Sequence, residues 1–174
     1  MPAGVLVGNR YVIGKVLGSG GFGITYLAFD TKLSIPVAVK EYLPKMLATR
    51  KDGDTTVLIH SETEKKDYLH FMDSFLDEAR LLAKFNSESG IVSVIDFFEE
   101  NATAYIVMLY VNGVTLGEYL KNHGDRIPYE KAIQILSPVM ESLSKVHQVG
   151  LIHRDISPDN IYLTKDNQVR LLDF

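Results

Sequence analysis

The residues from His153 to Asn160 read His-Arg-Asp-Ile-Ser-Pro-Asp-Asn, and their types and spacing suit phosphoryl transfer. Asp155 could receive the proton of an attacking hydroxyl group, and Asn160, five residues later, could hold a magnesium ion. Thirteen residues after Asn160, the sequence Leu-Asp-Phe adds Asp173 as a second oxygen ligand for the metal. A surface loop that uses Asp and Asn as turn formers is the alternative, but the length of the match favours the chemical interpretation.

A glycine-rich segment near the start of the chain could approach a phosphate group. Residues 18–23 read Gly-Ser-Gly-Gly-Phe-Gly and satisfy the pattern Gly-x-Gly-x-x-Gly. Glycines let the backbone come close to phosphate oxygens and adopt angles that side chains forbid. The pattern alone is weak, because a glycine-rich hairpin that binds nothing would look the same. It lies between two predicted strands, whereas a dinucleotide-binding fold would place a helix after it.

A lysine and a glutamate further along the chain strengthen this interpretation. Residues 37–40 read Val-Ala-Val-Lys, and in a strand Ala38 and Lys40 share a face, so both would point at whatever the glycine segment covers. Glu78 falls within the apolar stripe of the next predicted helix, where a carboxylate needs a partner. We therefore predict an ion pair between Lys40 and Glu78. The alternatives are a solvent-exposed lysine and a glutamate at the margin of the stripe.

The bulk composition is that of an ordinary globular chain. The 174 residues are 46% hydrophobic and 23% charged, which suits one domain or two small lobes. The net charge of −4 argues against a nucleic-acid-binding protein, because such proteins usually carry a basic face. There is no cysteine, and no segment has the pattern of a secretory signal or a membrane span. We expect a cytoplasmic protein with no nucleic-acid partner and no membrane segment in this chain.

Hydrophobic periodicity predicts an α+β fold in which a sheet-rich part precedes a helical part. One major helix is expected at residues 66–85, and a short helix near residues 42–47 within the long polar connection that spans residues 41–65. The predicted strands of the first part cover residues 11–17, 25–29, 36–40, 91–98 and 104–110.

The second part should consist of two helices and a small hairpin. Thr115 can cap a short helix that ends near residue 123, and a longer helix should start at Pro128 and end before residue 150. Pro138 lies inside the longer helix and should kink or locally break it. Two strands, at residues 161–164 and 169–172, should form the hairpin.

In this combination and order the motifs resemble those of the protein kinase superfamily, and most closely the bacterial serine/threonine kinases of the eukaryotic-like type. The resemblance runs from about Tyr11 to Phe174. It implies a kinase-like fold in which residues 1–111 form a five-stranded antiparallel N-lobe with one major helix. Residues 112–174 would form an incomplete, mainly helical C-lobe. The implied activity is ATP-dependent phosphorylation of serine or threonine in a protein substrate, with Mg²⁺ or Mn²⁺ as the metal.

The resemblance also assigns a role to each motif residue. Asp155 would act as the catalytic base, and Asn160 and Asp173 would bind the metal. Lys40 would hold the α- and β-phosphates of ATP, and Glu78 would anchor Lys40.

The resemblance implies that adenine hydrogen-bonds to the backbone of the hinge, at Leu109 and Val111, beside Met108 as the gatekeeper. The full set of implied nucleotide-binding residues is Leu17, Gly18, Ser19, Gly20, Gly21, Phe22, Gly23, Thr25, Ala38, Lys40, Met108, Leu109, Val111, Tyr162 and Asp173.

The sequence departs from the family pattern at several points. Ser157 stands where these kinases often have a lysine that assists the transferring phosphoryl group, which bears on the rate and on hydroxyl specificity. The connection between Lys40 and Glu78 is long for the family and suggests a regulatory or partner-binding insertion. Because the sequence stops within Asp-Phe-Gly, we expect this piece to bind Mg-ATP weakly and to transfer little phosphate by itself. A non-catalytic pseudokinase module and a small-molecule phosphotransferase of related fold stay open as alternatives.

Overall fold

The structure is a computed structural model and describes residues 1–166 and 168–172. The chain divides into two compact units: unit 1 contains Met1–Arg80 and Val94–Tyr110, and unit 2 contains Leu81–Ser93 and Val111–Phe174. The helices are α1 (Lys65–Leu82), α2 (Leu116–Asn122) and α3 (Tyr129–Gln148). In chain order the strands are β1 (Leu6–Val7), β2 (Tyr11–Ser19), β3 (Gly23–Asp30), β4 (Ile35–Tyr42), β5 (Ala48–Thr49), β6 (Leu58–Ile59), β7 (Val94–Glu100), β8 (Thr103–Leu109), β9 (Gly113–Thr115), β10 (Ile161–Thr164) and β11 (Val169–Leu171).

Unit 1 is built on an antiparallel sheet with the strand order β1-β2-β3-β4-β8-β7. All five predicted strands are present in it, and β1 adds a sixth at the edge through its pairing with β2. Two residues are too few to show a periodic pattern, which is why the sequence did not reveal this strand. The predicted antiparallel sheet is therefore confirmed.

One face of this sheet forms a hydrophobic core in unit 1. Strand residues alternate between the two faces, so Val37 and Val39 of β4 are fully buried, while Ala38 and Lys40 between and after them are half-buried. The buried face continues across the sheet through tyrosines and β-branched residues that fit a pleated surface: Val7, Tyr11, Ile13, Tyr26, Ala28, Val37, Val39, Tyr105 and Val107.

Helix α1 packs on the sheet through its buried aromatic and aliphatic residues. The predicted helix at 66–85 is confirmed, and its last turn, Ala83–Phe85, is a 3₁₀ helix. Tyr68 is 1% exposed and its hydroxyl donates to the carbonyl of Ala102 at 2.9 Å. The hydroxyl of Tyr42 donates to the carbonyl of Tyr68 at 3.1 Å, and the two rings lie 5.1 Å apart. These contacts fix the first turn of α1 to the end of β4.

The predicted short helix near residues 42–47 is wrong. Tyr42 ends β4, and Pro44 starts a turn in which the amides of Leu47 and Ala48 both donate to its carbonyl at 2.9 Å. A proline disfavours helical backbone angles in the residue before it, so Pro44 works against a helix that includes Leu43. The chain continues into an antiparallel pair, β5 with β6, instead of a helix.

Unit 2 combines α2, α3 and a small sheet in the order β11-β10-β9. Both predicted helices and the hairpin of β10 and β11 are confirmed. Thr115 caps α2 as expected: its hydroxyl accepts from the Glu118 amide and the Glu118 carboxylate accepts from the Thr115 amide, both at 3.0 Å. Strand β9 was not predicted, since its pairing with β10 joins residues about fifty positions apart in the chain. Helix α3 is continuous through Pro138, so the proline does not break it.

Residues 81–93 belong to unit 2, although the sequence analysis placed the only boundary between residues 111 and 112. The amide of Leu171 donates to the carbonyl of Gly90 at 2.8 Å, and the amide of Val92 donates to the carbonyl of Leu171 at 3.2 Å. The guanidinium of Arg170 donates to the carbonyl of Ile91 at 3.0 Å. These bonds join segments nearly eighty residues apart in sequence, so no local pattern could indicate them.

Across residues 1–166 and 168–172, no helix has both the length and the apolar character that crossing a membrane would require.

Candidate active site

The glycine-rich segment is the tight connection between β2 and β3. Gly18 lies opposite Thr25 in the ladder, and the amide of Gly20 donates to the carbonyl of Gly23 at 2.9 Å to close the turn. A Cβ atom added at Gly18, Gly20 or Gly21 would meet no atom of the described residues within 4 Å. Packing inside the chain therefore does not require glycine at these three positions, and the space beside them is open to a ligand.

The last glycine of the segment has a different role. A Cβ atom at Gly23 would lie 2.1 Å from the carbonyl oxygen of Glu41, so the close approach of β3 to β4 excludes a side chain there. The chain after β4 also supports the turn, because the amide of Leu43 donates to the carbonyl of Phe22 at 3.0 Å and that of Lys45 to the carbonyl of Gly21 at 3.1 Å. The Phe22 side chain is 82% exposed.

The ladder register brings several predicted nucleotide-binding residues onto one face of the sheet. Lys40 pairs with Thr25 on β3, and Ala38 pairs with Met108 on β8. Directly opposed residues of an antiparallel ladder share a face, and so do residues two apart in a strand. Thr25, Ala38, Lys40 and Met108 therefore lie together, on the face opposite to the core that contains Val37 and Val39.

Helix α1 packs against the same face. Tyr42, two residues after Lys40 in β4, contacts Tyr68 and Phe75 of α1, with the Tyr42 and Phe75 rings 5.6 Å apart. Glu78 lies one turn after Phe75 and is half-buried. The structure thus carries Lys40 and Glu78 on elements that meet on one sheet face, while their ion pair stays a prediction.

The segment 153–160 in unit 2 is an irregular loop held by a buried histidine. The ring of His153 is 3% exposed, and its Nδ1 accepts from the Asp155 amide at 3.3 Å. A neutral ring whose Nδ1 accepts carries its proton on Nε2, which donates to the carbonyl of Leu172 at 2.8 Å. The amide of Leu172 donates in turn to the carbonyl of Asn160 at 2.9 Å. The loop therefore holds both backbone groups of the residue that precedes Asp173.

Asp155 and Asn160 are brought together at the open side of this loop. The Asn160 Nδ2 donates to the Asp155 carbonyl at 2.8 Å and to its carboxylate Oδ2 at 2.9 Å. With both amide protons directed at Asp155, the Oδ1 oxygen of Asn160 is the atom suited to a metal ion. Asp173 lies outside the described residues.

The backbone of Arg154 is in the left-handed region, with φ +65°. This conformation is uncommon for a residue with a side chain, and it turns the chain sharply between His153 and Asp155. As a result His153 is buried while Arg154 and Asp155 are exposed. Strained backbone of this kind is concentrated at functional sites.

The sequence analysis missed Gly117, which anchors the same loop to the start of α2. Its amide donates to the carbonyl of Pro158 at 3.0 Å. A Cβ atom on Gly117 would lie 2.2 Å from the carboxylate Oδ1 of Asp159. The available signal was a glycine inside a capped helix, where alanine would be favoured by roughly 1 kcal/mol without a special contact.

The remaining predicted nucleotide-binding residues are spread over several elements. Leu17 is 41% exposed in β2, and Leu109 is 41% exposed at the end of β8. Val111 follows β8 and is half-buried, and Tyr162 is half-buried in β10, where it pairs with Thr115 and Arg170.

The described residues show no cluster of metal ligands, and a groove that they form in unit 2 is not lined by the predicted site residues. Residues 1–166 and 168–172 contain no group of three histidine, aspartate or glutamate side chains that could hold a metal ion. A groove of about 660 Å³ lies in unit 2 beside Tyr119, Lys131, Ile135 and Lys165, and of the predicted site residues that the structure describes, none lines it.

Comparison with known proteins establishes the family. The sequence model of the protein kinase domain matches residues 11–174, and the chain belongs to the protein kinase family. It is 34% identical to the serine/threonine-protein kinase PksC of Streptomyces coelicolor, over 97% of this chain and 28% of PksC. It is 31% identical to PknL of Mycobacterium tuberculosis, over 97% of this chain and 37% of PknL. Both relatives are named serine/threonine-protein kinases, and the chain spans well under half the length of each.

Solved structures show the same fold. The chain matches the apo form of PpkA-294 with a TM-score of 0.88 and 38% identity, covering 99% of this chain and 60% of that one. It matches the PknI kinase domain of Mycobacterium tuberculosis with a TM-score of 0.74 and 25% identity, covering 100% of this chain and 61% of that one.

Proposed function

We propose that the protein transfers the γ-phosphoryl group of ATP to serine or threonine hydroxyls of a protein substrate. The observation that carries this proposal is the common sheet face of Thr25, Ala38, Lys40 and Met108, which adjoins an open glycine turn. A surface that covers a nucleotide needs a small residue that leaves space, a cation for the phosphates, and backbone that side chains do not block. Family membership supports the same assignment.

In unit 1 the residues would bind and orient the nucleotide. The backbone at Gly18, Gly20 and Gly21 has room for phosphate oxygens, and the half-buried ammonium of Lys40 would neutralise the α- and β-phosphates. Glu78 would hold Lys40 in place. Leu109 of unit 1 and Val111, the first residue of the second segment of unit 2, would supply the backbone groups that recognise adenine.

In unit 2 the residues would handle the proton and the metal. Asp155 is exposed, so a substrate hydroxyl could reach its carboxylate and lose its proton there. The Oδ1 oxygen of Asn160 fits a magnesium ion, and Asp173 would complete the pair of ligands. Magnesium, when bound, offsets the negative charge on the phosphates. The hydrogen bonds of His153 and Asn160 to Leu172 hold the residue that precedes Asp173 in sequence.

We further propose that the 174 residues by themselves bind Mg-ATP weakly and transfer little phosphate. The chain covers 60% of the PpkA-294 structure, so a kinase domain of that size contains much that this chain does not. The reaction would take place in the cytoplasm, without nucleic acid.

The proposal is tested by calorimetry with an ATP analogue and Mg²⁺. Lys40→Ala and Asp173→Ala should each weaken binding by about 10- to 100-fold, the range expected for loss of a charge-assisted contact. Lys32→Ala, in the exposed turn between β3 and β4, serves as the matched control and should bind like the unaltered chain. Equal affinity in all variants would contradict the proposed nucleotide site.

Transfer assays separate the alternatives. A full-length protein that phosphorylates a serine-containing peptide, but not an aminoglycoside, supports the proposal. Phosphorylation of the aminoglycoside alone would identify a small-molecule phosphotransferase, and nucleotide binding without any transfer would identify a regulatory module.

A further inference from the structure

The residue after Lys40 carries a fully buried carboxylate. Glu41 is 0% exposed and points to the core face of the sheet, whereas Lys40 lies on the other face. A buried carboxylate is costly unless it is paired and hydrogen-bonded.

Three hydrogen bonds reach the Glu41 carboxylate, and a fourth links two of its partners. The Arg50 guanidinium donates to Oε1 through Nη1, and the Tyr105 hydroxyl donates to the same oxygen at 3.1 Å. The Tyr26 hydroxyl donates to Oε2 at 2.9 Å and accepts from Nη2 of Arg50 at 3.0 Å. Burial, together with the nearby Glu41 charge, raises the pKa of Tyr26 to about 12, so its hydroxyl keeps the proton that it donates.

Arg50 reaches this site from the long connection between β4 and α1. Its side chain is 6% exposed, and it follows directly on β5. A buried ion pair is often a weak source of stability, but it fixes the position of the elements that contribute its two halves. Here the two halves are the connection and the end of β4.

The end of β4 also holds the glycine turn. The Glu41 carbonyl oxygen lies 2.1 Å from the point that a Cβ atom on Gly23 would occupy. The amides of Leu43 and Lys45 donate to carbonyls within the turn. A displacement of Glu41 would therefore move Lys40, which is covalently attached to it, and the turn at the same time.

We infer that Arg50 is a positioning residue for the nucleotide site: by holding the buried Glu41 carboxylate, it sets the position of Lys40 and of the glycine turn. Arg50 would act through Glu41 and would not itself contact the nucleotide. The inference rests on the proposed function, because it assumes that Lys40 binds phosphate.

A second buried ion pair in unit 1 provides a matched control. Arg10 donates to both carboxylate oxygens of Asp30, which is 0% exposed, at distances of 2.7 to 3.1 Å. This pair lies at the opposite end of β3 from Gly23. Arg10→Met and Arg50→Met each leave a buried carboxylate without its cation, but only the second affects the end of β4.

The test measures the affinity of the full-length protein for a non-hydrolysable ATP analogue with Mg²⁺, together with its unfolding midpoint. Arg50→Met should weaken binding by about 3- to 30-fold, the range found for residues that act through others. Arg10→Met should lower the unfolding midpoint but change the affinity by less than about twofold. An effect of that size is expected from a substitution at a distant position that is not coupled to the nucleotide site. Equal effects on affinity would overturn the inference.

A double variant reports whether Arg50 acts through Lys40. In the Lys40→Ala background, Arg50→Met should cause a smaller loss of affinity than in the unaltered protein, because one of the two groups that it positions is already absent. Independent, additive losses would contradict the inference. If Lys40→Ala itself leaves affinity unchanged, the proposed function fails; if only Lys40→Ala has an effect, the positioning role alone fails.

Tyr105→Phe covers the case in which Arg50→Met does not fold. It removes one hydrogen bond to the same carboxylate oxygen and leaves the ion pair in place. A smaller loss of affinity, of about 2- to 5-fold, is expected from this partial release of Glu41. Unchanged affinity in the folded Tyr105→Phe protein would then overturn the inference.

Discussion

The carbonyl oxygen of Pro138 lies 2.4 Å from the position that a Cβ atom on Gly90 would occupy. The hydroxyl of Ser142, one turn later in α3, is 2.5 Å from the same point. Only a glycine allows the segment 81–93 to lie this close to α3, and Gly90 then also accepts from the amide of Leu171. The contact thus joins three parts of unit 2 at one residue.

Gly90→Ala should therefore destabilise the protein. We expect the free energy of unfolding to fall by about 1–3 kcal/mol, the cost of inserting a methyl group into a filled space. Urea unfolding measures this change. Gly20→Ala is the matched control, because its new methyl group meets no atom of the described residues within 4 Å. An equal loss in both variants would show that the contact with Pro138 has no special effect.

For ligand binding we expect Gly20→Ala to change the affinity and not the stability. Gly20→Ala should leave the free energy of unfolding within about 0.5 kcal/mol of the unaltered value, as for other surface substitutions. It should nevertheless weaken the binding of Mg-ATP, since the added methyl group occupies the open space beside the turn. Calorimetry at one temperature measures both affinities, and an unchanged affinity would contradict the role of the glycine turn.

The pair formed by Arg10 and Asp30 predicts a loss of stability in acid. The Arg10 guanidinium lowers the pKa of Asp30 from its ordinary value of 3.8 to about 2, against the opposing effect of burial. Because the pKa is lower in the folded than in the unfolded state, the stabilisation is present above pH 3.8 and is lost as the pH falls toward about 2.

Urea unfolding from pH 6 to pH 2.5 tests this prediction. The difference in free energy of unfolding between the unaltered protein and Asp30→Asn should shrink as the pH falls, because protonated aspartate and asparagine are both uncharged. A stability difference that stays constant over this range would contradict the assigned pKa shift.

Removing the cap of α2 should affect the loop 153–160. Thr115→Ala eliminates the hydroxyl that accepts from Glu118 and should lower the free energy of unfolding by about 0.5–2 kcal/mol. Thr115→Ser keeps that hydroxyl and should retain most of the stability. Because Gly117 bonds to the carbonyl of Pro158, hydrogen exchange near Asn160 should also increase in the alanine variant. Equal stability of the serine and alanine variants would contradict this role of the cap.

Local patterns were sufficient wherever a structure depends on neighbouring residues. The cap at Thr115 and the apolar spacing of α1 and α3 can be recognised in short stretches of sequence. The three helices predicted from these signals are present. Strand β9 and the attachment of residues 81–93 depend on pairings across the chain, and these were not predicted.

The buried carboxylate of Glu41 had a signal that the sequence analysis did not use. Val37, Val39 and Glu41 alternate in one strand, so Glu41 had to share the apolar face of the two valines. Its partner could not be deduced in the same way, because Arg50 belongs to a polar segment without periodicity. The roles of Lys40, Glu78 and Asp155 came from motif order and stay predictions.

The connection that carries Arg50 is attached at its base and open at its tip. The amide of Asp54 donates to the carbonyl of Lys51 at 3.1 Å, and Gly53 adopts φ +87° in this exposed turn. Residues added at such a position raise the entropic cost of closing the loop only slowly with loop length. An epitope or fluorophore-binding sequence inserted at Gly53 should therefore be tolerated, whereas the same insertion beside Arg50 should destabilise the protein. One short segment thus offers both a position for labelling and a control position.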